Sequence, residues 1–104
     1  MVVDAALVAI AEPRRRAILG LIASTELSAG EIAGHFDVTR PAISQHLAVL
    51  RSAGLVTERR AGTRRYYRAR PEGLKGMREW LDSFWQGGLE QLRIEAEREA
   101  KRVR

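Results

Sequence analysis

Residues 27–54 read LSAGEIAGHFDVTRPAISQHLAVLRSAG, and this segment carries the signals for two helices joined by a short turn. Ser28 and Glu31 have the spacing of a capping box at the start of the first helix. Thr39 is a favourable N-cap for the second helix, whose first turn tolerates Pro41, and Gly54 suits a left-handed C-cap. Two capped helices connected by so few residues are typical of a helix-turn-helix.

The second helix of this pair, Arg40–Ala53, has one apolar face and one small, polar face. Ile43, Leu47 and Leu50 share the face that is predicted to pack into the core. The opposite face carries small or polar residues, namely Pro41, Gln45, Ala48 and Ser52, flanked by Arg40 and Ser44. Gln can bond adenine, Ser can bond a base or a phosphate, and Arg can bond guanine. We therefore predict that Ser44 and Gln45 contact DNA, while Arg40 reaches either a base or a phosphate; ordinary surface positions are the alternative.

After Gly54 the pattern changes from helical to extended. The runs Leu55–Arg60 and Arg64–Ala69 flank Ala61-Gly62-Thr63, which predicts a β-hairpin. Four arginines surround its tip: Arg59, Arg60, Arg64 and Arg65. Because no acidic residue lies between Arg59 and Arg70, we predict that the tip contacts phosphates or the minor groove. A solubilising tip that protects an edge strand is the alternative. The neighbouring tyrosines are predicted to pack within the hairpin and against the helices: Tyr66 and Tyr67.

Helical segments flank this unit on both sides. Asp4–Ile10 predicts two helical turns, and Pro13 begins a second helix with an apolar stripe on one side. The stripe consists of Ile18, Leu19, Leu21 and Ile22, with Arg14, Arg15 and Arg16 expected to be exposed. We expect these two helices to form one wall of the core.

The C-terminal region starts at Pro71 and has a long apolar seam. Leu74, Met77, Leu81 and Phe84 recur at alternating spacings of three and four residues, which is the spacing of a helix packing surface. The seam, extended by Trp85, exceeds what a small core absorbs, so we predict a homodimer. Gly87-Gly88 is expected to weaken or bend the helix, and the last residues of the chain are expected to fray.

Composition limits the function further. With 104 residues the chain is about one domain long, and its net charge of +5 favours polyanionic partners. The absence of cysteine excludes disulfides and thiolate chemistry, and no apolar run reaches the length of a membrane span. Residues 1–4 do not resemble a secretory signal, so we expect a cytoplasmic protein.

Catalytic and metal-binding patterns are missing from the sequence. His35 and His46 are the only histidines, lie on different predicted helices and have no carboxylate pair beside them. His35 is predicted at the surface near a helix end. His46 is predicted to pack or bond the backbone, with a phosphate contact left open. Because no nucleophile elbow or phosphate-binding loop is present either, we expect no enzymatic activity, no metal site and no cofactor.

Three segments closely resemble the ArsR-type bacterial repressors: Glu12–Leu19, Leu27–Ala33, and Arg40–Leu47 followed by Leu50–Val56. The resemblance implies an α-α-α-α-β-β-α fold, dimerisation through the first and last helices, and operator binding by the helix that carries Ser44, Gln45 and His46. It also implies autorepression. The chain lacks the cysteine pair of the metal-sensing members, so it is more similar to the branch without metals, whose regulators answer to a partner protein or another signal.

These observations predict a single domain over residues 1–104 that is mostly α with a small β-hairpin. The predicted fold is a winged helix-turn-helix (α-α-α-α-β-β-α) that forms a dimer. Residues 71–104 are predicted to form the dimerisation helix and a frayed tail. The predicted DNA contacts are Thr39, Arg40, Pro41, Ser44, Gln45, His46, Arg59, Arg60, Arg64 and Arg65. The predicted dimer interface consists of Leu7, Leu74, Met77, Leu81, Phe84 and Trp85. The expected function is sequence-specific repression at an inverted-repeat operator. A protein-interaction module and a nonspecific architectural DNA binder remain as alternatives.

Overall fold

Five α-helices and a three-stranded antiparallel sheet make up residues 3–102, which are the residues that the computed structural model describes; residues 1, 2, 103 and 104 of the predicted domain lie outside them. The elements in chain order are α1 (Val3–Ala11), α2 (Pro13–Leu21), β1 (Leu27–Ser28), α3 (Ala29–Ala33), α4 (Arg40–Ser52), β2 (Val56–Ala61), β3 (Arg64–Ala69) and α5 (Lys75–Arg102). A 3₁₀ turn, Pro71–Leu74, joins β3 to α5. This arrangement confirms the predicted winged helix-turn-helix.

Side-chain caps begin three of the helices. In the capping box of α3, Glu31 N–H donates to Ser28 Oγ at 3.2 Å and Ser28 N–H donates to Glu31 Oε1 at 3.0 Å. Thr39 Oγ1 accepts from the N–H of Ala42 at 3.3 Å at the start of α4. The carboxylate of Glu12 caps α2 by accepting from the N–H of Arg15. The first two caps confirm the sequence prediction, whereas the third was not anticipated.

The core lies between the helices and the inner face of the sheet. Its fully buried side chains are Ile18, Ile22, Ile32, Ile43, Leu47, Leu50 and Leu55. Three of them come from the apolar face of α4, so this helix is fixed against the core along its length and its other face is free for contacts. Gly54 ends the helical region with φ of 77°, the left-handed conformation that was predicted for it.

The sheet has the strand order β1-β3-β2. β2 and β3 form the predicted hairpin, although its connection is only Gly62-Thr63, since Ala61 pairs with Arg64. β1 was not predicted. Its two residues, Leu27 and Ser28, pair with Tyr67 and Tyr66, and a strand this short has no alternating pattern that a sequence could reveal.

α5 is longer and more regular than the sequence suggested. It begins at Lys75 rather than Pro71 and continues without interruption through Gly87 and Gly88 to Arg102. The glycine pair therefore does not end the helix, and the expectation that it weakens or bends α5 stays a prediction. Fraying of the last residues concerns motion and stays a prediction. Among residues 3–102, no helix is both long and apolar enough to cross a membrane.

Candidate nucleic-acid interface

The exposed face of α4 presents the side chains that the sequence singled out. Arg40, Pro41, Ser44 and Gln45 are all exposed, and they lie on the side of α4 opposite Ile43, Leu47 and Leu50. Thr39 is also exposed at the start of the helix, although its hydroxyl is occupied by the cap. The N-terminal half of α4 therefore offers a guanidinium, a hydroxyl and an amide to an external ligand.

A polar cleft of about 610 Å³ separates this end of α4 from the hairpin. Arg40 and Ser44 line one wall, Arg64 and Arg65 line the other, and the start of α3 closes the end with Glu31. Three guanidinium groups line the cleft against the one carboxylate of Glu31, so the charge of the cleft lining is net positive. The structure thus brings residues from the two predicted contact regions, 24 positions apart at Arg40 and Arg64, onto one side of the molecule.

The arginines of the hairpin are less free than the sequence suggested. Arg59 donates from Nε and Nη2 to Glu26 Oε1 at 2.9 and 2.6 Å, and its guanidinium lies 5.0 Å from the centre of the Tyr66 ring. The hydrogen bond from Arg59 lowers the pKa of the Glu26 carboxyl and, in return, raises the pKa of Arg59. The expectation that no acidic residue offsets the charge of the tip was wrong, because Glu26 reaches it from the segment before β1.

Glu58 is the second carboxylate beside the hairpin arginines. Its Oε2 pairs with Arg51 Nη1 at 2.7 Å, and its Oε1 lies 3.5 Å from Arg65 Nε and 3.9 Å from Arg60 Nε. Within residues 3–102, Arg64 is the one of the four predicted hairpin arginines for which no ion pair is found. This pairing could not be predicted from the sequence, since Glu58 and Arg51 come together only when β2 packs beside α4.

The arginines near Pro13 also have partners. Arg15 donates from Nε to the carbonyl of Ala9 at 2.6 Å, and its Nη1 lies 3.5 Å from His46 Nδ1. Arg14 lies 5.6 Å from the centre of the Phe36 ring. Both side chains are half-buried, which corrects the expectation that they are exposed. His46 is half-buried as well, on the side of α4 that faces α2, while His35 is exposed as predicted.

The predicted dimer residues divide into two groups. Leu7, Leu81, Phe84 and Trp85 are 40 to 68% exposed, whereas Leu74 and Met77 pack against the core of their own chain. Three further apolar residues outside the predicted interface are exposed on the same helix, and their spacing on α5 was the available signal: Trp80, Leu89 and Leu92. Only the first turn of α5 thus joins the core through Met77, and from Trp80 onward the helix leaves an apolar surface uncovered.

Comparison with known proteins agrees with this geometry. The family model described as bacterial regulatory protein, arsR family, matches residues 12–58, which span α2, the helix-turn-helix and the start of the hairpin. HTH-type transcriptional regulator Rv2034 of Mycobacterium tuberculosis is 49% identical over 86 residues, which are 83% of this chain and 80% of that protein. The chain belongs to the arsR family of bacterial regulatory proteins. It is therefore a DNA-binding transcriptional regulator.

Other relatives of this ArsR-family regulator include one named as a repressor and one named as an activator. Transcriptional repressor SdpR of Bacillus subtilis is 37% identical over 73% of this chain and 84% of its own length. Transcriptional activator HlyU of Vibrio cholerae is 39% identical over 74% of this chain and 71% of its own length. A solved structure described as a possible transcriptional regulator for arsenical resistance superimposes with a TM-score of 0.70 at 47% identity, covering 86% of this chain and 93% of that one.

Proposed function

We propose that this regulator is a homodimeric repressor that binds an inverted-repeat operator, with α4 in the major groove and the hairpin on the adjacent backbone. It acts in the cytoplasm and has no catalytic role. The observation that carries the proposal is the cleft in which Arg40 and Ser44 of α4 face Arg64 and Arg65 of the hairpin. One surface then serves both base reading and phosphate binding.

The exposed face of α4 has the chemistry for reading bases. Gln45 offers the amide that bonds adenine bidentately, Ser44 offers a hydroxyl, and Arg40 offers a guanidinium near the helix start. Their neighbours Pro41 and Ala48 are small, which lets the helix approach base edges closely. The contacts proposed for DNA on this helix are Thr39, Arg40, Pro41, Ser44, Gln45 and His46.

The hairpin supplies charge rather than sequence information. Phosphate contacts fix the register of a protein on the duplex, and arginines serve this role on any sequence. Arg64 is the strongest candidate, because no carboxylate of a described residue lies within ion-pair distance of its guanidinium; Glu31 lines the same cleft and attracts it only from a greater distance. We propose further phosphate contacts in which each arginine leaves its carboxylate partner and binds a phosphate instead: Arg59, Arg60 and Arg65.

Homodimerisation is supported by the uncovered apolar surface of α5 and α1. Trp80, Phe84 and Trp85 are 52, 68 and 61% exposed, and Leu7 is 40% exposed on α1. Contiguous apolar surface of this kind marks an interaction site in a soluble protein. Two-fold pairing through the same surface on both copies presents two α4 helices to one side of the duplex, so an inverted repeat follows from the symmetry.

Repression is favoured over activation because the match covers 84% of SdpR but only 71% of HlyU. A dimer that occupies its site also excludes polymerase without needing a further contact. Activation is kept as the second candidate because HlyU carries that name. A reporter gene placed behind the operator distinguishes the two. Expression that falls when the regulator is supplied supports repression, and expression that rises contradicts it.

Selection of bound sequences from a random DNA pool tests the binding proposal. Enrichment of one inverted repeat, with half-site centres about one helical turn apart, is expected for a dimer with this fold. Enrichment of a single half-site contradicts the dimer, and unselective binding favours an architectural role. Failure to bind DNA would favour a protein-interaction module.

A further inference from the structure

Glu58 occupies an unusual position between the two elements that are proposed to contact DNA. Its side chain is only 9% exposed although it lies on β2 of the basic hairpin. Arg51, on the last turn of α4, donates to its Oε2 at 2.7 Å. Arg60 and Arg65 lie beside its Oε1 with their Nε atoms at 3.9 and 3.5 Å. A single carboxylate thus contacts α4 and both strands of the hairpin.

The register of the hairpin explains why a carboxylate is needed there. Arg60 and Arg65 are directly opposite each other on β2 and β3, and two like charges in cross-strand positions repel. Glu58 lies two residues before Arg60 on the same face of β2, so its carboxylate reaches both guanidinium groups. The carboxylate offsets their repulsion and orients both side chains.

The contact with Arg51 adds a connection that the backbone does not provide. α4 and β2 are joined through Ala53, Gly54 and Leu55, and the base of the hairpin is held by the pairing of β3 with β1 and by the buried Val56, whereas its tip, residues 61–65, is exposed. The Arg51–Glu58 pair ties the C-terminal turn of α4 to the third residue of β2. A pair with one partner this well shielded from solvent is less screened than the exposed ion pairs of α5.

We propose that Glu58 is a positioning residue for DNA recognition: by holding Arg51 of α4 together with Arg60 and Arg65 of the hairpin, it fixes the angle between the base-reading helix and the phosphate-binding hairpin. This inference rests on the proposed function. Base contacts and phosphate contacts form together only when both elements are held in register, so this link raises affinity for the operator more than affinity for other DNA.

The competing explanation is that Glu58 merely neutralises charge, and two variants separate the explanations. Glu58→Gln raises the net charge by one and Arg51→Gln lowers it by one, yet both break the same link. Nonspecific affinity follows charge, so it should rise several-fold in Glu58→Gln and fall several-fold in Arg51→Gln. The ratio of operator affinity to nonspecific affinity should fall about tenfold or more in both variants if the link positions the two elements.

Glu26→Gln is the matched control, because it also removes one carboxylate that holds a hairpin arginine. Glu26 pairs with Arg59, and among the described residues no hydrogen bond or ion pair joins it to α4. This variant should bind all sequences more tightly and keep the wild-type ratio. The double variant Glu58→Gln/Arg51→Gln should lose no more of the ratio than either single variant, since both act through one link.

The measurement is a titration of the full-length regulator and each variant against its selected operator and against scrambled DNA at one salt concentration. Arg51 is 60% exposed, so Arg51→Gln is expected to fold, and it decides the question even if Glu58→Gln does not fold. A ratio that stays at the wild-type value in both variants, or that falls only in the variant with more positive charge, overturns the proposal. A wild-type protein without any sequence preference refutes the proposed function instead.

Discussion

Gln45 lies on the exposed face of α4 and projects away from the buried Ile43 and Leu47. Its amide is the group on this face that can donate to and accept from one adenine at once. We predict that Gln45→Ala weakens binding to the preferred operator by about 1–3 kcal/mol, while binding to scrambled DNA and the thermal unfolding temperature stay close to wild type.

Binding to operators in which each base pair is replaced in turn locates this contact. The variant should lose its preference at one symmetric pair of positions. Ser52→Ala is the control, since Ser52 is exposed on the same side of α4 but at its other end. An unaltered preference profile in Gln45→Ala would assign specificity to Arg40, Ser44 or the shape of the DNA.

Arg64 and Arg59 carry the same charge on the same hairpin but differ in their surroundings. Arg59 is held by Glu26 and by the Tyr66 ring, whereas Arg64 lines the cleft beside α4. We predict that Arg64→Ala lowers the slope of log affinity against log salt by about 0.9, as expected for one lost phosphate contact, and that Arg59→Ala lowers it less.

Titrations at several salt concentrations with operator and scrambled DNA check this comparison. Arg64→Ala should weaken both by a similar factor, because phosphates carry no sequence information. Equal slopes for wild type and Arg64→Ala would mean that the tip only protects an edge strand.

The capping box makes the stability of α3 dependent on pH. Hydrogen bonds from the backbone and side chain of Ser28 lower the pKa of Glu31 below its ordinary value of 4.5. A carboxyl whose pKa is lower in the folded state stabilises the fold above its unfolded pKa, and this contribution is lost as the pH falls through the folded pKa. As the pH falls below 4.5, the wild type should therefore lose the stabilisation that comes from the charged Glu31 carboxylate. The Glu31→Gln variant lacks this stabilisation at every pH, because its amide does not titrate.

Chemical unfolding at about pH 6 and about pH 3.5 tests this difference, because only the wild type carries the titrating carboxyl at residue 31. The stability advantage of the wild type over Glu31→Gln should shrink at the lower pH. The same advantage at both pH values would show that the Glu31 carboxylate contributes nothing through its charge.

Local signals predicted the elements of this fold better than their contacts. The caps at Ser28 and Thr39 and the apolar face of α4 depend on residues three to seven positions apart, so they could be predicted directly. β1 has only two residues, which is too short for an alternating pattern. α5 continues through Gly87 and Gly88 although each glycine disfavours a helix by about 1 kcal/mol.

The candidate site shows the same division. The exposure of Ser44 and Gln45 follows from helical periodicity and was predicted. The pairing of Arg59 with Glu26 joins residues 33 positions apart, and that of Arg51 with Glu58 depends on how β2 packs beside α4. Such partners are set by tertiary structure, so charge counting along the chain overestimated how many arginines are available for DNA.

At the scale of the whole molecule, α5 extends well beyond the core. It has 28 residues, which corresponds to about 42 Å at 1.5 Å per residue, and the described chain measures 71 Å along its longest axis. We predict that Leu81→Asp converts the dimer to monomers at micromolar concentration, because a carboxylate cannot be buried in an apolar interface without a partner.

Sedimentation of both proteins over a range of concentrations checks this prediction. Ser83→Asp is the control with the same added charge, placed on the polar side of α5 where it should leave the dimer intact. A wild-type protein that sediments as a monomer at these concentrations contradicts the dimer itself.

A similar structure is described as a possible regulator for arsenical resistance, which raises the question of metal sensing. The chain offers few ligands for a metal ion. It has no cysteine, and residues 3–102 contain no cluster of three or more histidine, aspartate or glutamate side chains that could hold an ion. We predict that low-micromolar zinc, cadmium or arsenite leaves operator affinity unchanged in a binding titration. A saturable, stoichiometric release of DNA would reveal a site formed by carboxylates or between subunits.

Gly73 lies in the turn between β3 and α5, directly against Gly54, which follows the C-terminal end of α4. A β-carbon at this position would collide with the backbone carbonyl of Gly54, and Arg70 Nη1 donates to the same carbonyl oxygen at 3.1 Å. An engineer who wants to graft a different assembly helix onto this DNA-binding unit should therefore retain residues 70–77, which include the core residue Met77, and make the fusion after Met77. Chimeras joined upstream of Gly73 should lose the docking of this turn, while chimeras joined after Met77 should keep the operator preference of the parent.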